Sequence, residues 1–389
     1  MNKKTLVVAI VATLSVGAAA VGYVMKSHPA VDTHVGGIAT PGPYAPSGSV
    51  NFSTAAFRYF YILGDGLTGY KVTDTGDVKN VPIAKAGDLG CRTDSGIATK
   101  SGKWMYLGCT PIWMGREGSP TIMPCKLDDK GWVKPQPSHK QPTGKSPFGM
   151  LMSDDDRFLY VSTNDGISQF RIGTDGLPVP LNPPMVPGGV IGSLNTLSSN
   201  GKYAYATYFR QRRLYQMKVN SNGTLTPLSP PFVETGPGPM EAHVDPHGRY
   251  VWCVDSLGQS VDRFQVKPDG TLKRLGPATG GLGRQPTSLQ VSRDGRYAYV
   301  ARYRYNSIMQ FAIQEDGTFD LNDPVSAPGA GGPATFRLDP SGRFAFGLNF
   351  QYNMLSLYSI NSKGTLDPAN PSSLLMGEHS HDIIFAPRK

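Results

Sequence analysis

Sustained helical periodicity is missing from this sequence. Beyond the first 25 residues no long stretch repeats apolar side chains every three or four positions, so little helix is expected. Cysteine is scarce: there are four, none at the short spacing of a zinc finger, which sets aside a structural zinc site. The His, Cys and carboxylate clusters that a metal- or cofactor-dependent oxidoreductase needs are absent, so no metal and no cofactor is expected. No motif that reads duplex or single-stranded nucleic acid accompanies the net charge of +9, and nucleic acid is not an expected partner.

What is abundant is glycine (46) and proline (33), the composition of a fold that turns every few residues. The turns recur in register. Arg249 in HGRYVWCV, Arg296 in DGRYAYV and Arg343 in SGRFAFGL stand 47 residues apart, and Lys202 in NGKYAYA lies another 47 upstream. Arg157 and Lys103 extend the series. Each unit starts with a strand such as Ser288–Val291, turns at a Gly-Arg/Lys-aromatic step, and continues through an alternating strand that reads as half-buried. A third strand such as Ser307–Ile313 follows, then an Asp/Asn-Gly-Thr turn and a short fourth strand. Four strands per 40–50-residue unit is the signature of a β-propeller blade, so the fold class is all-β and the length houses one large domain.

Six units are complete. The C-terminal piece from His381 to Arg388 copies only a first strand, and Arg58–Leu63 copies only a second, so together they supply a seventh blade and close the ring. The seven-bladed propeller is expected over 54–389. Upstream, Met1 to Lys4 and the apolar run from Leu6 to Met25 form a signal peptide or an N-terminal membrane anchor over 1–27. No cysteine lies near it, which argues against a bacterial lipoprotein. Residues 28–53 read as a flexible linker. Both alternatives place the propeller outside the cytoplasm, periplasmic or extracellular, and a membrane would be met only through an uncleaved N-terminus. The oxidising compartment suits a Cys91–Cys109 bridge across the hairpin that turns at Ser101-Gly102, with Cys125 a competitor and Cys253 an inert buried thiol.

In a propeller the start of each first strand and the loop joining the second and third strands meet at one mouth of the central channel. Here those segments collect arginine and tyrosine: Arg210, Arg284, Arg302 and Tyr303 among them. Guanidinium pairs with carboxylate or phosphate, and aromatic rings stack on sugar faces, so an acidic small molecule or an anionic polymer is the expected partner. A protein partner is a further candidate, and the propeller itself is expected to be monomeric. His379 and His381 lie on one side of the closing strand by its period of two. With Glu241 or Glu378 they would suit acid–base work; a metal would need further ligands that the sequence does not supply. His243 and His247 read as structural.

The Pro-led first strand, the Gly-Arg-aromatic-x-Tyr-Val segment and the Gly-Thr-Leu close resemble the lactonase family of seven-bladed propellers, which includes 6-phosphogluconolactonases and carboxymuconate cycloisomerases. The resemblance spans Arg58 to Lys389 and is clearest from Gly236 to Pro340. Where that family carries Gly-Pro-Arg-His this chain has Gly238-Pro239-Met240-Glu241, and where it carries Asn-Glu-Leu this chain has Asp255-Ser256-Leu257. The resemblance implies hydrolysis of a lactone of an acidic or sugar-derived substrate. Glu241 or His381 would be the base that activates water, Asp255 would orient it, and Arg210, Arg284, Arg302, Tyr303 and His379 would hold the ligand. The alternative is a non-catalytic propeller that binds an anionic ligand, an envelope polymer or a protein on the same face.

Overall fold

The computed structural model describes residues 52, 55–81, 89–113, 116–188, 192–377 and 379–387. The expected signal or anchor, nearly all of the expected linker, and Glu378 lie outside them. Among the described residues no helix is long and apolar enough to cross a membrane. Seven antiparallel blades form the ring among the described residues, six of four strands and blade 2 with its outermost strand split into two short pieces. Blade 1 is built from Phe57–Leu63, Leu67–Val72 and Val78–Val81, with Asp382–Pro387 as its innermost strand. Blade 2 covers 92–142, blade 3 149–187, blade 4 192–234, blade 5 239–279, blade 6 286–328 and blade 7 333–375. The closure expected from the two half-units is the one formed: Phe60 pairs with Phe385 and Tyr61 with Ile384.

The middle strands differ from their expected half-burial. Phe158–Thr163 and Phe344–Asn349 are buried at every position. Alternation was expected because one face of a sheet usually meets solvent, but each blade is sandwiched between two neighbours and both of its faces are covered. An apolar cluster fills each of the seven junctions. Solvent is met by the outer strands. These run to ten residues in blades 3, 4, 6 and 7, longer than the short fourth strand expected.

The two recurring sequence signals prove to be partners across the junctions. The second aromatic of each middle strand hydrogen-bonds to the carbonyl of the turn glycine in the next blade. Tyr61 reaches Gly131, Tyr106 Gly176, Tyr160 Gly223, Tyr205 Gly270, Trp252 Gly317 and Tyr299 Gly364, all at 2.7–2.9 Å. The first aromatic lies over the same glycine. At Gly270 φ is +80° and an added Cβ would run into the Tyr203 ring, so the turn needs both glycine's backbone range and its missing side chain. Between blades 7 and 1 the position is Phe346, which has no hydroxyl. There the Gly76 carbonyl accepts the backbone N–H of Phe52, and the Phe52 ring packs 4.5 Å from Phe344 and 6.0 Å from Phe346. Phe52, expected in the linker, is thus buried in the last junction.

Blade 2 carries the longest spacing in the series because Ile112–Trp113 and Arg116–Glu117 form an extra hairpin between its second and third strands. Cys91 and Cys109 are bonded across the hairpin as expected, while Cys125 and Cys253 are free and buried.

Removing the Tyr160 hydroxyl (Y160F) should cost about 1–2 kcal/mol in a denaturant titration, the range for a lost buried hydrogen bond. Gly270→Ala should cost more than Y160F, since strain at positive φ adds to overpacking against Tyr203.

Candidate functional site

The mouth of the channel at blades 5, 6 and 7 is shaped by loops of equal length. In blade 6 the middle strand Tyr297–Arg302 ends in a single 3-10 turn, Tyr303–Tyr305, closed by Asn306 in the left-handed region (φ 48°). Asparagine tolerates that conformation, and its Oδ1 accepts the N–H groups of Gly331 at 2.7 Å and Gly332 at 3.2 Å. This ties the loop between blades 6 and 7 to the turn. Tyr303 and Ala334 are buried together, with Met240 and Phe350 packed against them, and they give the mouth an apolar floor.

Beside that floor stand Arg302 and Arg304, on either side of Tyr303. Arg302 is half-buried, and its guanidinium donates from Nε and Nη2 to the neutral Ser307 hydroxyl at 3.1 and 2.8 Å. It lies 4.9 Å from the centroid of the Tyr305 ring. Burial lowers its pKa, with only Tyr305 raising it; no carboxylate compensates. At the equivalent place blade 7 has the neutral Asn349, which accepts the Ala330 N–H and donates within its own hairpin. Arg304 donates to Gln285 Oε1 at 2.7 Å, and Arg284 is exposed beside it. Arg302, Tyr303 and Arg284 therefore share one corner of the mouth, with Tyr303 as floor and Arg302 as an uncompensated donor. Arg210 is exposed on the corresponding loop of blade 4.

The three expected catalytic residues are not brought together. Glu241 faces the channel, but its carboxylate is fully engaged. Arg337 Nη1 donates to Oε1 at 2.9 Å, while the Ser288 hydroxyl and the Leu289 N–H donate to Oε2 at 2.7 and 3.0 Å. Burial by itself would raise the Glu241 pKa; Arg337, His243 and Ser288 outweigh it and hold the carboxyl at about 2. A carboxylate of such low proton affinity is a poor base for water. Arg337 also pairs with Asp382 at 3.2 Å, so one guanidinium links blades 5, 6, 7 and 1. His243 borders this network, 3.8 Å from Glu241 and 3.0 Å from Gln290.

Asp255 is elsewhere, buried against Asp262 near Gly236. Burial first, then the Asp262 charge, push it up to about 9 against the opposing pull of Arg274. A carboxyl shifted this far favours its protonated form at neutral pH. Arg274 and the Gly236 N–H instead satisfy Asp262. The His381 Nε2 faces the Asp94 carbonyl at 3.2 Å and its Nδ1 the His379 carbonyl at 3.0 Å, which leaves neither nitrogen turned toward a substrate. His379 pairs with Asp65 at 2.7 Å on the surface. Among the described residues no group of three or more His, Cys, Asp or Glu side chains converges as a metal site.

Sequence reasoning missed Arg337, Ser288 and Asp382. The available signal was register. Glu241 and His243, Ser288 and Gln290, and Thr335 and Arg337 occupy matched alternate positions of three consecutive inner strands, each pair flanking an apolar residue. It also missed Asp94, buried between the Arg92 guanidinium at 2.6 Å and the Thr110 hydroxyl.

Residues 193–376 match the family model described as a lactonase, 7-bladed beta-propeller. Over those residues the chain is similar to the lactonase family of seven-bladed propellers. Solved structures share the architecture. A candidate 6-phosphogluconolactonase from Bacteroides uniformis is 17% identical with a TM-score of 0.70, covering 84% of this chain and 99% of its own. The corresponding protein from Bacteroides fragilis is 16% identical with a TM-score of 0.68, covering 85% and 98%. The periplasmic gluconolactonase of Pseudomonas aeruginosa is 17% identical with a TM-score of 0.65, covering 84% and 98%. At these identities the likeness is one of fold. No curated protein matches the sequence significantly.

The Glu241 and Asp255 carboxyls should give opposite pH responses. The Glu241 pKa lies below its unfolded value near 4.3, so its contribution is present above that pH and lost as pH falls toward about 2. E241Q should remove that acid dependence and cost about 3 kcal/mol at neutral pH by stripping Arg337 of a partner. The Asp255 pKa lies above its unfolded value near 3.9, so stability falls as pH rises from about 4 to about 9. D255N should flatten that limb of a plot of Tm against pH.

Proposed function

We propose that this lactonase-family propeller captures an acidic, sugar-derived ligand, a sugar acid or its lactone, at the blade 6 mouth. The observation that carries the reading is Arg302: a half-buried guanidinium with a hydroxyl and an aromatic ring beside it but no carboxylate, above an apolar floor. A buried cation without a counter-charge is costly, and an incoming carboxylate or phosphate would supply the missing partner through paired hydrogen bonds. The C–H face of a sugar-lactone ring suits the floor of Tyr303, Ala334 and Met240.

Hydrolysis of that lactone is the second reading, favoured by the match of residues 193–376 to the lactonase model. Against it stand the low proton affinity of Glu241, the two carbonyls on His381 and the protonated Asp255, so the geometry favours capture over turnover. Export belongs to the same proposal. A basic, apolar N-terminus and the Cys91–Cys109 bond both suit a protein that works outside the cytoplasm.

The test is calorimetric titration of the full chain with gluconate, 6-phosphogluconate and galacturonate, alongside proton release from the matching lactones. Arg302→Ala should weaken binding at least tenfold, the equivalent of a charge-assisted hydrogen bond, while leaving Tm nearly unchanged. Absence of binding by every acid would overturn the proposal. Lactone hydrolysis above the spontaneous rate would replace capture with turnover.

A further inference from the structure

The loops joining the second and third strands of blades 5, 6 and 7 each expose one large apolar side chain. Leu257 is 41% exposed, Tyr305 52% and Tyr352 53%. Tyr305 and Tyr352 occupy the same place in the repeat, each just before an asparagine in the left-handed region, Asn306 (φ 48°) and Asn353 (φ 50°). Each ring rests on a glycine of the preceding interblade loop. An added Cβ at Gly283 would run into Tyr305, and one at Gly331 into Tyr352. Glycine lets the backbone come up under the ring, which holds the tyrosine in place and leaves half of it open to solvent. The two supports are also tied together, because the Asn306 side chain beside Tyr305 binds the N–H of Gly331 beneath Tyr352. The two rings are thus held on successive loops of one rim, each about half open to solvent.

We propose that this rim is a row of sugar subsites for an acidic oligosaccharide, with one uronic-acid unit at Arg302 and Tyr305 and the next resting on Tyr352. This rests on the reading that the blade 6 mouth takes an acidic, sugar-derived ligand, and extends it from one unit to a chain. The exposed part of each ring suits the C–H face of a sugar, and Arg302, 4.9 Å from the Tyr305 ring, is placed for the carboxylate of the same unit. The exposed apolar residues come one per blade, interleaved with Arg302, Arg304 and the exposed Arg284. That is a strip for a charged polymer, and the net charge of +9 has the complementary sign.

The full chain is titrated at fixed ionic strength with galacturonic acid and its α-linked dimer, trimer and tetramer, with neutral cellotetraose as the charge control. Affinity should rise at least tenfold from monomer to trimer. Tyr352→Ala should abolish that gain without changing monomer affinity, and Arg302→Ala should weaken every length. Equal affinity for monomer and oligomers, or a length gain that survives Tyr352→Ala, would overturn the subsite row while leaving the single-unit reading intact. Equal binding of cellotetraose would overturn the acidic assignment. No binding at any length would overturn the subsite row, and the single-unit reading would be overturned with it only if gluconate and 6-phosphogluconate also fail to bind.

Discussion

The contact between a middle-strand aromatic and the turn glycine of the next blade is the constraint on which this ring depends. A blade has no core of its own: its sheet is buried only because a neighbour covers each face, and the apolar clusters lie between blades rather than within them. Hydrophobic burial alone would let adjacent blades slide, since it has no direction. The hydrogen bonds from Tyr61, Tyr106, Tyr160, Tyr205, Trp252 and Tyr299 give each junction a fixed register. The last junction, closed without that hydroxyl, takes Phe52 from upstream of the first strand.

The same sandwiching governs where charge can sit. An inner strand has little access to water, so a charged side chain on it must find a partner across the channel. Glu241, Arg337 and Asp382 do so, and Ser288, His243 and Gln290 complete the hydrogen bonding. Side chains that look catalytic one by one are thereby occupied in holding blades 5, 6, 7 and 1 together. Arg302 at the rim escapes this pairing, and the functional proposal follows from that contrast.

The architecture was legible in the sequence because a propeller repeats. Six units, each with a turn leading into an aromatic strand and a second glycine turn, together with the two terminal half-units, defined the blade number, the closure and the arginine-rich mouth. The local chemistry of each turn is set by its own few residues, so it survives in the linear order. The middle strands were misjudged because alternation reports a single covered face, and a stacked ring covers two.

The partners of the site residues were not legible. Arg337 is 96 residues from Glu241, and nothing local to either shows that the channel brings them within 2.9 Å. Likewise Asp255 and Asp262 are unremarkable until a hairpin folds them against each other in a dry junction. The repeat, the ring and the residue types at its mouth were readable from the linear order, since they depend on short-range pattern. Only the tertiary structure decided which charges neutralise one another and which stay free, because that depends on distance and burial, and both are set by the closing of the ring.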